Sequence, residues 1–218
     1  MAYTITSVST AGDSVTYLRD LYTAVNVNND WYDSVVKDEN DRTLTFSKDS
    51  KTLVVITVPS TLTASSGFTI ATYGVSNSVS SSVRIASNIP TTVVVGDNGI
   101  IINFMYSSIG SSCGSTIFTT GAKNKLIYGF TTYSSTSASC IMNEDDSVAA
   151  NISACTYENK EANLTQLVPY VTVSDGTTKE WTKDILAVTR KENTSTSWST
   201  ITLDNVQYIT NNIIAMKV

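Results

Sequence analysis

Gly110-Ser111-Ser112-Cys113-Gly114 matches G-x-S-x-G, the strand-to-helix elbow that exposes a nucleophilic serine. The elbow needs a base to take the hydroxyl proton, in that arrangement a histidine, and the 218-residue chain has none. The same absence removes Cys-His catalysis from Cys113, because an unassisted thiol is mostly protonated near neutral pH. The residues after Gly114, Ser115-Thr116-Ile117-Phe118, have the pattern of a strand and not of a helix. Ser112 is therefore expected in a turn of small residues. Paired carboxylates are the other route to hydrolysis. Asp38, Glu39 and Asp41 form one acidic group and Glu144, Asp145 and Asp146 another, but both fall in expected turns, where water favours charge. Neither group fits the D-x-[DN]-x-[DN]-G calcium loop, and zinc lacks histidines and paired cysteines. No glycine-rich phosphate loop is present. The expectation is a protein without catalytic residues, cofactor or metal.

Composition points the same way. Hydrophobic residues make up 41% of the chain and charged residues only 15%, so Ser, Thr and Asn must fill most solvent-facing positions. A net charge of −5 with no basic cluster disfavours nucleic acid as a partner. No apolar run approaches the length that spans a bilayer, and Met1-Ala2-Tyr3-Thr4-Ile5-Thr6 does not resemble a secretory leader. Synthesis in the cytoplasm and no membrane are expected. Cys113, Cys140 and Cys155 form at most one disulfide and read as small buried side chains.

The elements that must position these residues are mostly strands. One helix is expected near the front, with Val15, Leu18, Tyr22 and Val25 along one face and Thr10 and Asp13 as its capping box. Asn26 to Asp30 ends it, and Trp31-Tyr32 anchors against it. From Arg42 the period changes to two. Leu44 and Phe46 lead through Lys48-Asp49-Ser50-Lys51 into Leu53 to Val58, which reads as a strand buried on both faces, and the helix is expected to cover this hairpin. Further strands are expected at Phe68 to Tyr73 and Val79 to Ile85. Val93-Val94-Val95 and Ile100-Ile101-Ile102 flank Gly96-Asp97-Asn98-Gly99, where Asn-Gly suggests a type I′ turn. Ser115 to Thr119 pairs with Leu126 to Thr132, and Ser139 to Met142 with Val148 to Ile152. Leu164 to Val173, Ile185 to Thr189, Ile201 to Leu203, Gln207 to Thr210 and Ile213 to Val218 complete the series. Turns roughly every ten residues imply a mainly β chain, an antiparallel sandwich or barrel-like fold with one helix packed on a hairpin. A division near Asn88-Ile89-Pro90 would separate a module at 1–88 from a β domain at 89–218.

Two stretches resemble virion structural proteins of tailed bacteriophages. In front it is the order of helix Val15 to Val25, then Trp31-Tyr32, then the hairpin from Leu44-Thr45-Phe46 to Leu53-Val54-Val55. Behind, it is Leu126-Ile127-Tyr128-Gly129-Phe130, Leu164-Thr165-Gln166-Leu167-Val168-Pro169-Tyr170 and the ending Val206 to Lys217. Asn212 stands where similar proteins usually have Gly, a substitution Asn tolerates because it too visits positive φ. The resemblance implies a non-enzymatic virion component on capsid, neck or tail, in multiple copies, with itself and other virion proteins as partners. The interface candidates are Trp181 and Trp198, expected in polar loops, and Ile213, Ile214 and Met216 in the apolar closing segment. The alternative is a carbohydrate-binding or adhesin-like module meeting a host-surface glycan, favoured if Trp181 and Trp198 share an exposed face beside a groove.

Overall fold

The computed structural model describes residues 3–63, 67–74, 78–84, 89–105, 114–132, 138–143, 150–153, 166–173, 179–189, 197–211 and 213–218. In chain order the elements begin with β1 (Tyr3–Val8), α1 (Ser14–Val25), β2 (Ser34–Asp38), β3 (Thr43–Lys48), β4 (Lys51–Thr57), β5 (Gly67–Tyr73) and β6 (Ser78–Arg84). Next come β7 (Thr91–Gly96), β8 (Gly99–Phe104), β9 (Gly114–Thr120), β10 (Leu126–Thr132), β11 (Ala138–Asn143) and β12 (Ala150–Ser153). The last are β13 (Gln166–Val173), β14 (Lys179–Thr189), β15 (Ser199–Leu203), β16 (Val206–Thr210) and β17 (Ile214–Lys217). The chain is mainly β, as its pattern implies. Its strands form three antiparallel sheets, ordered β2-β3-β4-β5-β6, β1-β7-β8-β9-β10-β11-β12 and β13-β14-β17-β16-β15. Among the described strands none of these sheets closes into a barrel, so the sandwich-like alternative holds.

The seven-stranded sheet lies in the middle, which explains the unbroken apolar runs of the sequence. Successive side chains on a strand point to opposite faces. Val93, Ile100, Ile102, Phe118, Tyr128 and Met142 therefore join a core shared with α1 and β2 to β5. Their neighbours Val94, Ile101, Ile117, Ile127 and Ile141 join a second core, with Ile185, Ile209, Ile214 and Met216 of the third sheet. A strand covered on both faces reads as a continuous hydrophobic run rather than an alternation.

α1 fills the space between β2–β3 and β1–β7. Its N-cap is Asp13, whose Oδ1 accepts the Val15 and Thr16 amides at 2.9 Å each. Thr10 does not cap it; its hydroxyl donates to the Ile89 carbonyl at 3.1 Å, so the expected capping box gives way to a single Asp cap. The buried face is also turned from the expected one. Tyr17, Leu18, Leu21, Ala24 and Val25 are buried, while Val15 and Tyr22 lie half-buried at its margins. Helix packing between two sheets demands a broader stripe than a single row, and Tyr17 reaches across to bond Thr91 Oγ1 at 2.6 Å. Leu18→Ala is accordingly expected to cost about 2–5 kcal/mol and Val15→Ala well under about 1.5 kcal/mol, a contrast that thermal melts of both variants check. Tyr32, just beyond the helix, donates to the Val25 carbonyl at 2.5 Å and closes its end.

The turns differ from expectation in an informative way. Positive φ at both central residues marks Asp49-Ser50 (49° and 64°) and Asp204-Asn205 (50° and 63°), the type I′ hairpins among the described residues. Asp97, Asn98 and Gly99 have no positive φ. Gly99 is instead required by close approach, since a Cβ there would lie 2.6 Å from Ile185 Cδ1 and 2.8 Å from the Phe118 carbonyl oxygen. Asn98 spends its side chain on the Lys217 carbonyl at 2.8 Å, tying the hairpin to the third sheet. β1 and β2 escape the sequence pattern, being short and largely exposed. β1 pairs with β7 along Tyr3 to Val8, and so crosses the division at 88/89, as does the first core.

Candidate functional site

Ser112 and Cys113 lie outside the described residues, as do Glu144, Asp145, Asp146, Cys155 and Asn212. Gly114 opens β9, so a strand succeeds the G-x-S-x-G stretch. Cys140 belongs to β11. The front acidic group is built into its own turn. Asp38 Oδ1 accepts the Asn40 and Asp41 amides at 2.8 and 3.0 Å. Glu39 takes a two-pronged bond from Arg19, at 2.9 and 2.7 Å, and a further one from Lys37. Arg19 first, then Lys37, pulls the Glu39 carboxyl down to about 2. Whatever this exposed cluster contributes is present above the ordinary Glu range and lost as pH falls toward about 2. Among the described residues no group of three or more His, Cys, Asp or Glu is placed to hold a metal ion.

Glu180 carries no signal in its sequence context, yet it is the most enclosed carboxylate among the described residues. Its Oε1 accepts the Lys123 amide at 2.8 Å, and Lys123 Nζ lies 3.9 Å from Oε2. With the Ala122 amide donating to the Trp181 carbonyl at 2.8 Å and the Gly121–Thr182 bridge, it locks the β9–β10 turn onto β14. Its partners are thus those of a latch between sheets. Burial also pushes the Tyr17 and Tyr32 hydroxyls above their ordinary range. Their contribution to stability is whole below the ordinary tyrosine value of 10.0 and declines as pH rises beyond it. Tyrosinate absorbance, followed through an alkaline titration of the parent and of Tyr17→Phe and Tyr32→Phe variants, should therefore find Tyr17 and Tyr32 silent until alkaline unfolding begins.

The residues singled out for partners separate into different environments. Ile213, Ile214 and Met216 are buried within this chain, because β17 lies between β14 and β16 instead of at an edge. Their apolar character serves the second core, and they are withdrawn as interface candidates. Trp181 is on strand β14 and not in a loop; it is 44% exposed, while Glu180 and Thr182 on either side are buried. Trp198, just before β15, packs half-buried against the second core. Trp181 lies on β14 and Trp198 beside β15, and β17 and β16 separate those two strands, so the rings do not form one platform.

A sheet edge is where one chain can pair with another, because an edge strand presents unpaired backbone groups. Among the described strands, the edges of the three open sheets are β1, β2, β6, β12, β13 and β15. Most carry a familiar protection. β2 holds Lys37 and Asp38, β6 ends in Arg84, β12 has only four residues, and β13 contains Pro169 beside an irregularity in its register. β1 and β15 have none of these: Tyr-Thr-Ile-Thr-Ser-Val and Ser-Thr-Ile-Thr-Leu carry neither charge nor proline. They are neighbours in space, joined by a 3.3 Å hydrogen bond between the Tyr3 hydroxyl and Thr200 Oγ1. Tyr3 and Ile5 are 37% and 41% exposed on this side. The sequence alone does not single these strands out: residues 1–12 and 194–203 carry no charge, and neither does the longer stretch 52–83. No protein-family model matches the chain, and no curated protein or solved structure matches it either.

Proposed function

We propose that this chain is a non-enzymatic structural component of a tailed-bacteriophage virion, present in multiple copies on the capsid, neck or tail. The observation that carries the multi-copy reading is the adjacent pair of unprotected edges, β1 and β15, in a molecule whose other described edges are protected. Such edges are a liability to a free monomer and an asset to a protein that is tiled. The phage assignment comes from the resemblance. Its quoted residues fall at positions that build the fold: Phe46 and Val54 are core, Tyr128 bonds the Tyr73 carbonyl at 2.7 Å, and Asn211 caps the turn before β17. The carbohydrate-binding alternative is left with Trp181 alone, without Trp198 beside it. Immunogold labelling of particles purified from producing cells tests the proposal. Regularly repeated label on intact virions is expected; abundant chain in the lysate with unlabelled virions would overturn it.

A further inference from the structure

We propose that β1 and β15 together form the surface on which a second copy of this chain docks, edge to edge and antiparallel. The proposal rests on the multi-copy reading and names the surface that performs it. Three observations converge on that side. The first is the asymmetry of protection described above, which leaves these two edges open and closes the other described ones to pairing.

The second is charge. Two copies of a chain with net charge −5 repel wherever carboxylates face one another. From Tyr3 to Gly12 and from Ser197 to Leu203 there is no charged residue, with Asp13 and Asp204 only at the borders. A second acidic copy therefore meets no opposing carboxylate along either strand. A basic partner would favour the acidic faces instead, so the neutral side fits a copy of the same chain.

The third is geometry. β1 lies in the middle sheet and β15 in the next layer, and stacked sheets are about 10 Å apart. A twofold axis normal to both sheets pairs β1 with its counterpart and brings β15 toward its own, so one operation serves both edges. Centred on Ile5, the β1 pair sets Thr4 opposite the second copy's Thr6 and Tyr3 opposite the second copy's Ser7. Every pair so formed is neutral, and β-branched or aromatic pairs favour such a ladder.

Sedimentation velocity of the full chain over a concentration series tests this, with Ile5→Lys and Thr202→Lys as variants. Both residues are exposed, so melting temperature should not move. The parent is expected to associate, and each variant to associate roughly 10-fold more weakly or worse, because like charges then face each other across the axis. Mixing Ile5→Lys with Ile5→Glu opposes unlike charges and should restore association; no restoration would overturn the twofold pairing of β1. Hydrogen exchange on the unaltered parent gives an independent measure, since β1 amides should gain protection as concentration rises. A parent that associates while both variants match it overturns the β1–β15 surface and leaves the multi-copy reading standing. A parent that stays monomeric throughout overturns the β1–β15 pairing, while the multi-copy reading is decided separately by the labelling of virions.

Discussion

Removing residues 213–218 is expected to leave the chain insoluble, or folded only in its first core. β17 is the central strand of the third sheet, paired with β14 through Ile185–Met216 and with β16 through Ile209–Met216. Without it that sheet separates into two unsupported hairpins. Ile214 and Met216 are fully buried, and the loss of side chains of this kind costs about 2–5 kcal/mol each. Whole domains are stable by only about 5–15 kcal/mol. The loss also uncovers Val94, Ile101, Ile117 and Ile127 on the middle sheet, an apolar face that then seeks any neighbour. Asn211 compounds the effect. Its Oδ1 accepts the Ile213 and Ile214 amides at 3.1 and 3.0 Å, and its Nδ2 donates to Asn103 at 3.3 Å, bonds that have no purpose without the strand. Soluble yield and a thermal melt decide the matter. A truncated chain as soluble as its parent, with the same melting temperature, would mean the third sheet does not depend on its central strand.

Phe118→Ala should be the most damaging single truncation in the first core. Its ring lies 5.0 Å from both Tyr32 and Phe46, centroid to centroid, and the last two are 5.2 Å apart. That triad joins the segment after α1, the hairpin strand β3 and the middle sheet at one point. Truncating a buried Phe costs about 3–5 kcal/mol, and in a chain of this size each kcal/mol lowers the melting temperature by roughly 2–4 °C. Phe118→Leu, which keeps most of the volume, should recover the larger part. A Phe118→Ala chain that melts within about 2 °C of the parent would show that the triad is not where the two sheets are held.

Much of the fold was legible because its strands obey simple alternation. Leu44 and Phe46 are buried on the face the period predicts, and the hairpin turn at Asp49-Ser50 falls where the polar residues do, whereas the next strand, read as buried on both faces, buries Leu53, Val54 and Ile56 and leaves Val55 and Thr57 half-buried. The triple-Val and triple-Ile runs announced strands, and their meaning as a middle layer emerges only once a cover exists on each side. β14 shows why other parts were hidden. Its inward positions carry Glu180, Thr182 and Asp184, while Trp181 and Lys183 face solvent, so hydropathy runs opposite to the usual sense. A loop was the natural inference from Thr and Lys around Trp181. Polar residues are tolerated inside because they are bonded there, Glu180 to the Lys123 amide and the Thr182 hydroxyl to the Ile185 carbonyl at 2.6 Å. The candidate surface was hidden for a different reason: an unprotected edge is defined by what it lacks, and only the strand order shows which strands are edges.

The pairing of β1 with β7 also favours one order of folding. β2 to β6 form a meander in which each strand pairs with the next, so local contacts assemble it early. Val8 meets Thr91 only after everything between them has been gathered, and closing a loop of that length costs about 4 kcal/mol in chain entropy. That ladder is expected to make its contacts late, which pulse-labelling hydrogen exchange during refolding checks. Until β1 arrives, β7 is itself an open margin, with Val93 turned toward one core and Val94 toward the other, and the nascent molecule carries an adhesive rim that its mature form conceals.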